Sequence, residues 1–153
     1  MPAAARPVHP GSRCPDHAVD VAVTFVPVSR LAVIALGGVL GAVGRYALAL
    51  ALPFTGPGHW PLATFLANVA GCLAIGFLAT SARVASGPEW VRPFAITGIL
   101  GGFTTFSAFA LESGVLFDAG YVLLGMSYIV ATMTAGLVAV RIGAMVADQG
   151  GSS

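Results

Sequence analysis

The residues best suited to binding an ion lie in one run near the middle of the third apolar stretch of the sequence. The run reads Gly101-Gly102-Phe103-Thr104-Thr105-Phe106-Ser107-Ala108-Phe109-Ala110-Leu111-Glu112. Paired glycines weaken a helix, and paired threonines carry hydroxyls that compete for backbone hydrogen bonds, so the run predicts a broken helix. Carbonyl oxygens freed at such a break are suitable ligands for a small hard cation.

Two phenylalanines follow the predicted break. Phe106 and Phe109 are three residues apart and so share one helix face, while Thr105 and Ser107 lie to either side. The edges of aromatic rings carry partial positive charge and attract an anion weakly. Two phenylalanines at this spacing are more often plain packing residues, and only their polar neighbours favour the anion interpretation.

Five further polar side chains lie within apolar stretches. Asn68 is the amide of the second stretch, and it either joins two helices or donates to a dehydrated anion. Arg45 is costly in lipid, so it either reaches the interface or attracts anions in a vestibule. Tyr128 and Thr132 are four residues apart and predict a polar stripe on the fourth stretch. Glu112 is expected near the end of its span, where a charged carboxylate avoids lipid.

The elements that must position these residues are four membrane-spanning helices. A span needs about 20 apolar residues, and the apolar stretches predict spans at about 30–52, 62–82, 91–117 and 119–146. Together they form one four-helix unit over residues 29–147, with disordered tails at 1–28 and 148–153. Small residues at close spacing in the first span, Gly37, Gly38, Gly41 and Gly44, predict tight helix packing.

Composition supports a membrane protein and excludes other classes. The chain is 57% hydrophobic and 8% charged, whereas soluble domains carry about 25% charged residues. A net charge of +1 with no lysine gives no basic surface for nucleic acid. The spans hold neither a nucleophile–base pair nor a metal-ligand cluster, so we do not expect an enzyme.

Arginines near the span ends predict an orientation. Arg30, Arg83, Arg92 and Arg141 fall towards one side of the membrane, and Arg45 towards the other. Because cytoplasmic loops are enriched in arginine and lysine, a fixed orientation would place both termini in the cytoplasm.

Together these residues resemble the Fluc (CrcB-type) family of fluoride channels over about residues 30–143. The resemblance rests on Gly37-Gly38 with Gly41-Ala42 and Arg45-Tyr46, on Asn68 with Gly71, and on Gly101-Gly102 followed by Thr104-Thr105-Phe106-Ser107, Phe109 and Glu112. The glycine-threonine-phenylalanine run is its most specific part. One position departs from the family pattern, because Ala108 stands where a threonine is usual.

The resemblance implies a small subunit that pairs antiparallel into a dimer with two narrow pores in the cell inner membrane. Such a dimer exports fluoride passively, confers fluoride resistance and holds a structural sodium ion at its centre. By resemblance, Arg45 is the vestibule residue and the carbonyls of Gly101 and Thr104 are the sodium ligands. The fluoride path is assigned to Asn68, Thr105, Phe106, Ser107, Phe109, Tyr128 and Thr132.

Two alternatives remain open at the level of sequence. A dual-topology homodimer needs nearly balanced arginines, so the biased count allows a heterodimer with an oppositely oriented sister subunit. A small proton-coupled drug exporter also uses four helices and an antiparallel dimer. That chemistry needs a carboxylate within the membrane, and Glu112 is the only candidate in the predicted spans.

Overall fold

The computed structural model describes residues 27–150, with the side chain of Arg83 excepted. All regular structure in these residues is helical. Four helices are long and apolar enough to cross a membrane, namely Val28–Ala51, Leu62–Thr80, Pro93–Asp118 and Val122–Gly150. The chain is therefore an all-α multi-pass membrane protein with four spans, as the sequence predicted.

The elements follow one another in a simple order. The first span is α1 (Val28–Ala51) and the second is α2 (Leu62–Thr80), followed by the short helix α3 (Ala82–Ala85). The third span comprises a π-helical segment (Pro93–Leu100), the single turn α4 (Gly101–Phe103) and α5 (Phe106–Asp118). The fourth is α6 (Val122–Gly150).

The third span is broken near its middle, as predicted from its glycines and threonines. Thr104 and Thr105, between α4 and α5, have extended backbone, with φ/ψ of −79°/157° and −151°/120°. The wide π-helical segment before the break was not predicted; π-helices are rare and are often found near functional sites.

The ends of the four-helix unit differ slightly from the prediction. α1 begins at Val28, directly after Pro27, whereas the predicted unit begins at residue 29. α6 continues to Gly150, so the predicted C-terminal tail is helical over residues 148–150. Nothing between Ala144 and Gln149 breaks the helix, since these residues include neither proline nor glycine. The rest of the predicted tails, residues 1–26 and 151–153, lies outside the described residues.

Glycines bring the helix backbones into direct contact at two interfaces. On α1, a side chain at Gly37 or Gly41 would collide with the backbone of the π-helical segment, at Gly98 and Ile99 respectively. Between α2 and α6, Gly76 contacts the backbone of Val140 in the same way. Close backbone approach is how helices gain dispersion energy in lipid, where hydrophobicity does not drive them together.

The buried core lies at one end of the bundle, between α2, α5 and α6. Phe109, Leu116 and Tyr128 are buried there, and Trp60 and Phe65 pack against them. Trp60 contacts both neighbouring rings edge-on, with centroids 6.1 Å from Phe65 and 5.7 Å from Tyr128. This packing fixes α5 against α6 directly after the break.

Substitution of Gly41 tests the close contact between α1 and the third span. A Cβ there would overlap the carbonyl oxygen of Ile99, so we expect Gly41→Ala to lower the free energy of unfolding by about 1–3 kcal/mol, as overpacking does. In the control, Gly44→Ala on the same helix, the new Cβ would lie 3.6 Å from Phe103 Cδ2, an ordinary contact. Equal stability of the two variants in equilibrium unfolding in mixed micelles would contradict the packing described here.

Candidate functional site

The helix break redirects two backbone N–H groups. In a continuous α-helix each N–H donates to the carbonyl four residues earlier. Here the N–H of Thr105 donates to Oδ1 of Asn68 (2.8 Å) instead of Gly101, and the N–H of Ala108 donates to Oγ1 of Thr105 (3.2 Å) instead of Thr104. The carbonyl oxygens of Gly101 and Thr104 therefore lose their helical donors.

Asn68 holds the break from the neighbouring helix. Its Oδ1 accepts from the backbone N–H of Thr105, and its Nδ2 donates to the carbonyl of the same residue at 3.0 Å. The sequence left open whether this amide joins helices or donates to an anion. It joins α2 to the break, and one of the two N–H bonds of its NH₂ group remains beyond the bond to Thr105.

Gly71 lies one turn along α2 from Asn68 and makes room for the break. A Cβ at this position would collide with Cγ2 of Thr104. The Thr104 hydroxyl turns back along its own chain and donates to the carbonyl of Leu100 at 2.9 Å. The missing side chain of Gly71 therefore lets the extended residues lie directly against α2.

Arg45 contacts the same break from α1. Its Nε donates to the carbonyl of Gly102 at 3.2 Å, and the side chain is half-buried. Gly102 itself must lack a side chain, because a Cβ would collide with the carbonyl oxygen of Gly38. The guanidinium thus replaces a helical donor at the break. This contact was not predicted from the sequence, which suggested an interfacial anchor or a vestibule charge. Both of those roles stay predictions.

An open cavity of about 450 Å³ lies beside the break. Most of the predicted site residues line it, while Ser107, Tyr128 and Arg45 do not. Cys72 and Gly136 lie on its wall, and Met133 and Leu137 are exposed at its rim. The predicted site residues that line the cavity are Asn68, Gly101, Thr104, Thr105, Phe106, Phe109 and Thr132.

The two phenylalanines have different environments. Their ring centroids are 5.9 Å apart with an interplanar angle of 47°. Phe109 is buried, at 6% exposure, and packs 5.3 Å from the ring of Tyr128, whereas Phe106 is 74% exposed within this chain. A ring so exposed at the mouth of a cavity offers its edge and face to a neighbouring molecule.

The small hydroxyls near the break are arranged in a short chain. Oγ of Ser107 and Oγ1 of Thr105 lie 3.2 Å apart, and Thr105 Oγ1 also caps α5 by accepting from Ala108. On α6, the buried hydroxyl of Thr132 donates to the carbonyl of Tyr128 at 2.7 Å. Because its one hydrogen is used in this way, Thr132 presents a lone pair rather than a donor to other groups.

Glu112 lies between α2 and α6. Its two carboxylate oxygens accept from the hydroxyls of Thr64 on α2 and Tyr128 on α6, both at 2.8 Å. These partners were not predicted from the sequence, and Thr64 was not recognised as a site residue. The expectation that Glu112 lies near the end of its span stays a prediction. The spacing of Thr64 carried a signal, because Thr64 lies four residues before Asn68 and so shares a face of α2 with it.

Comparison with known proteins gives consistent results. Residues 32–144 match the family model described as CrcB-like protein, Camphor Resistance (CrcB). A protein of Nocardia farcinica named "Fluoride-specific ion channel FluC 2" is 47% identical over 118 residues, covering 74% of this chain and 81% of that protein. "Fluoride-specific ion channel FluC 1" of Streptomyces coelicolor is 46% identical over 120 residues, covering 78% and 77%. "Fluoride-specific ion channel FluC" of Paracoccus denitrificans is 42% identical over 110 residues, covering 72% and 87%.

Substitution of Asn68 tests whether its amide holds the break. Asn68→Ala removes both bonds to Thr105 and leaves two backbone groups without partners, at a cost of about 1–3 kcal/mol each. We therefore expect fast hydrogen exchange at the Thr105 amide in this variant. Asn68→Asp, which keeps an oxygen for that N–H, should retain slower exchange. Unchanged protection of Thr105 in Asn68→Ala would show that the amide does not hold the backbone.

Proposed function

Because this chain belongs to the CrcB-like protein family, we propose that it is a subunit of a fluoride-selective channel that lets cytoplasmic fluoride leave through the cell membrane. The relatives described above carry fluoride-specific channel names. The single observation that supports this function best is the cavity at the helix break, where the Asn68 amide and the Phe106–Phe109 pair lie together.

The chemistry of the cavity suits a small, strongly hydrated anion. A selective pore must replace the water around its ion without binding the ion too tightly to release it. The remaining N–H of Asn68, the Thr105 hydroxyl and the ring edges of the two phenylalanines line the cavity and are weak, uncharged donors. The Ser107 hydroxyl lies next to them, 3.2 Å from that of Thr105. A fixed ammonium group would trap fluoride, and the sequence contains no lysine.

A second subunit would complete the path. The cavity is open on one side, and Phe106 and Leu137 at its edge are 74% and 72% exposed. We propose that an antiparallel partner covers this face and turns each open cavity into a narrow pore. The partner is either a second copy of this chain or a sister subunit of opposite orientation.

We also propose that a structural sodium ion binds to the backbone at the break. The carbonyls of Gly101 and Thr104 have lost their helical donors, and Gly101 is exposed with nothing within 4 Å of where a Cβ would lie. Unwound carbonyls of this kind coordinate sodium in membrane transporters. In the proposed dimer the same two carbonyls from each copy would hold the ion, which would join the two breaks electrostatically.

Fluoride efflux from liposomes carrying the purified chain tests the function directly. We expect fluoride-selective efflux with little chloride efflux. Phe106→Ile should reduce fluoride efflux by up to about tenfold, since one aromatic contact is worth about 0.5–1.5 kcal/mol. Phe77→Ile is the matched control, because Phe77 is an exposed phenylalanine of α2 outside the cavity. Efflux that is equally fast for both variants would remove Phe106 from the path.

The rival function, proton-coupled drug export, predicts a different transport activity in the same vesicles. Glu112 would then exchange protons, so a pH gradient should drive uptake of an organic cation, and Glu112→Gln should abolish it. Drug uptake of this kind without fluoride efflux would replace the channel proposal. The carboxylate lies between the hydroxyls of Thr64 and Tyr128, but the family relation favours the channel.

Orientation is tested with reporter fusions at the C-terminus. The arginine bias predicts that both termini lie in the cytoplasm, so a cytoplasmic reporter should be active and an external one inactive. That result would require a sister subunit for antiparallel pairing. Equal populations of the two orientations would instead indicate a homodimer.

A further inference from the structure

A second cavity, of about 480 Å³, lies where three spans end on the same side of the bundle. Arg30, from the first turn of α1, and Arg92, directly before the π-helical segment, both line it. The remaining wall comes from the connection after α2 and from Ile96 and Thr97, one turn into the third span. The cavity thus extends from the membrane boundary into the first turn of a span.

The charges in this cavity are unbalanced in favour of an anion. Arg30 and Arg92 are both exposed, and within residues 27–150 neither guanidinium forms an ion pair with a carboxylate. One acidic residue, Glu89, also lines the cavity and offsets part of the positive charge. Two guanidinium groups on one cavity match the several oxygens of a phosphate group, since each can bind two oxygens side by side.

The surroundings of the two arginines are those of a membrane interface. Trp90, which is 55% exposed, lines a smaller cavity on the other side of Arg30 and packs edge-on to Phe94 with centroids 6.0 Å apart. Tryptophan is enriched at the level of lipid headgroups. Val84, Pro88 and Ile96 add an apolar wall, which a free anion would not use and the glycerol and first methylenes of a lipid would.

We propose that Arg30 and Arg92 form a binding site for the phosphate of an anionic phospholipid, with Ile96 and Val84 contacting its glycerol region. In the orientation that the arginine bias favours, this site lies in the cytoplasmic leaflet, where anionic lipid attracts basic residues. The site is separate from the Asn68–Phe106 cavity, although Ile96 lines both. The inference does not depend on fluoride conduction.

Native mass spectrometry of the purified full chain tests this site with phosphatidylglycerol and phosphatidylcholine as probes. The wild-type chain should bind phosphatidylglycerol more tightly. Loss of one arginine should weaken that preference by about fivefold and Arg30→Gln/Arg92→Gln by about thirtyfold. Glu89→Gln should strengthen it. Arg141→Gln is the control, because Arg141 is exposed and lines neither the arginine cavity nor the smaller cavity beside Trp90.

Three outcomes would overturn the proposal. An equal loss of preference in Arg141→Gln would indicate diffuse positive charge rather than a site. Displacement of the lipid by millimolar inorganic phosphate would indicate a site for free anions. Slower fluoride efflux of the double variant in pure phosphatidylcholine vesicles would assign the arginines to the anion route. Phosphatidylcholine binding equal to wild type in the double variant, with the preference for phosphatidylglycerol lost, supports the lipid site and shows that the variant is folded.

Discussion

A backbone that leaves helical geometry within a membrane must find new hydrogen-bond partners, because lipid supplies none. The extended residues Thr104 and Thr105 create this requirement in the third span. Asn68 from α2 and Arg45 from α1 meet much of it, through bonds to the backbone of Thr105 and Gly102. Within residues 27–150 no buried side-chain nitrogen or oxygen lacks a partner. The rest of the structure serves to bring these partners within reach.

Glycines at the helix contacts let the helices approach closely enough for these hydrogen bonds to form. Gly41 allows α1 to lie against the backbone of the third span, which brings the Arg45 guanidinium to the break one turn later. On α2, the absence of a side chain at Gly71 allows Thr104 to lie against the helix. Helices held this closely on two sides fill the space around the break but leave its third side open, and the cavity lies there.

The polar groups near the break differ in how many donors they keep. The hydroxyls of Thr64 and Tyr128 both donate to Glu112. Asn68 uses its oxygen and one N–H on the backbone of Thr105, and its NH₂ group keeps a second N–H. Of these three side chains, Asn68 is therefore the one with a donor left for a further partner.

The sequence by itself determined the four spans, the break in the third span and the short list of polar residues around it. These follow from apolar length, from the weak helix propensity of Gly101-Gly102 and from hydroxyl competition at Thr104-Thr105, all of which act over a few residues. Only the tertiary structure decided that Arg45 bonds Gly102, that Glu112 lies between two helices, and that Phe109 is buried while Phe106 is exposed. Those outcomes depend on how each helix is rotated and how closely it approaches its neighbours, and residues far apart in the sequence set both.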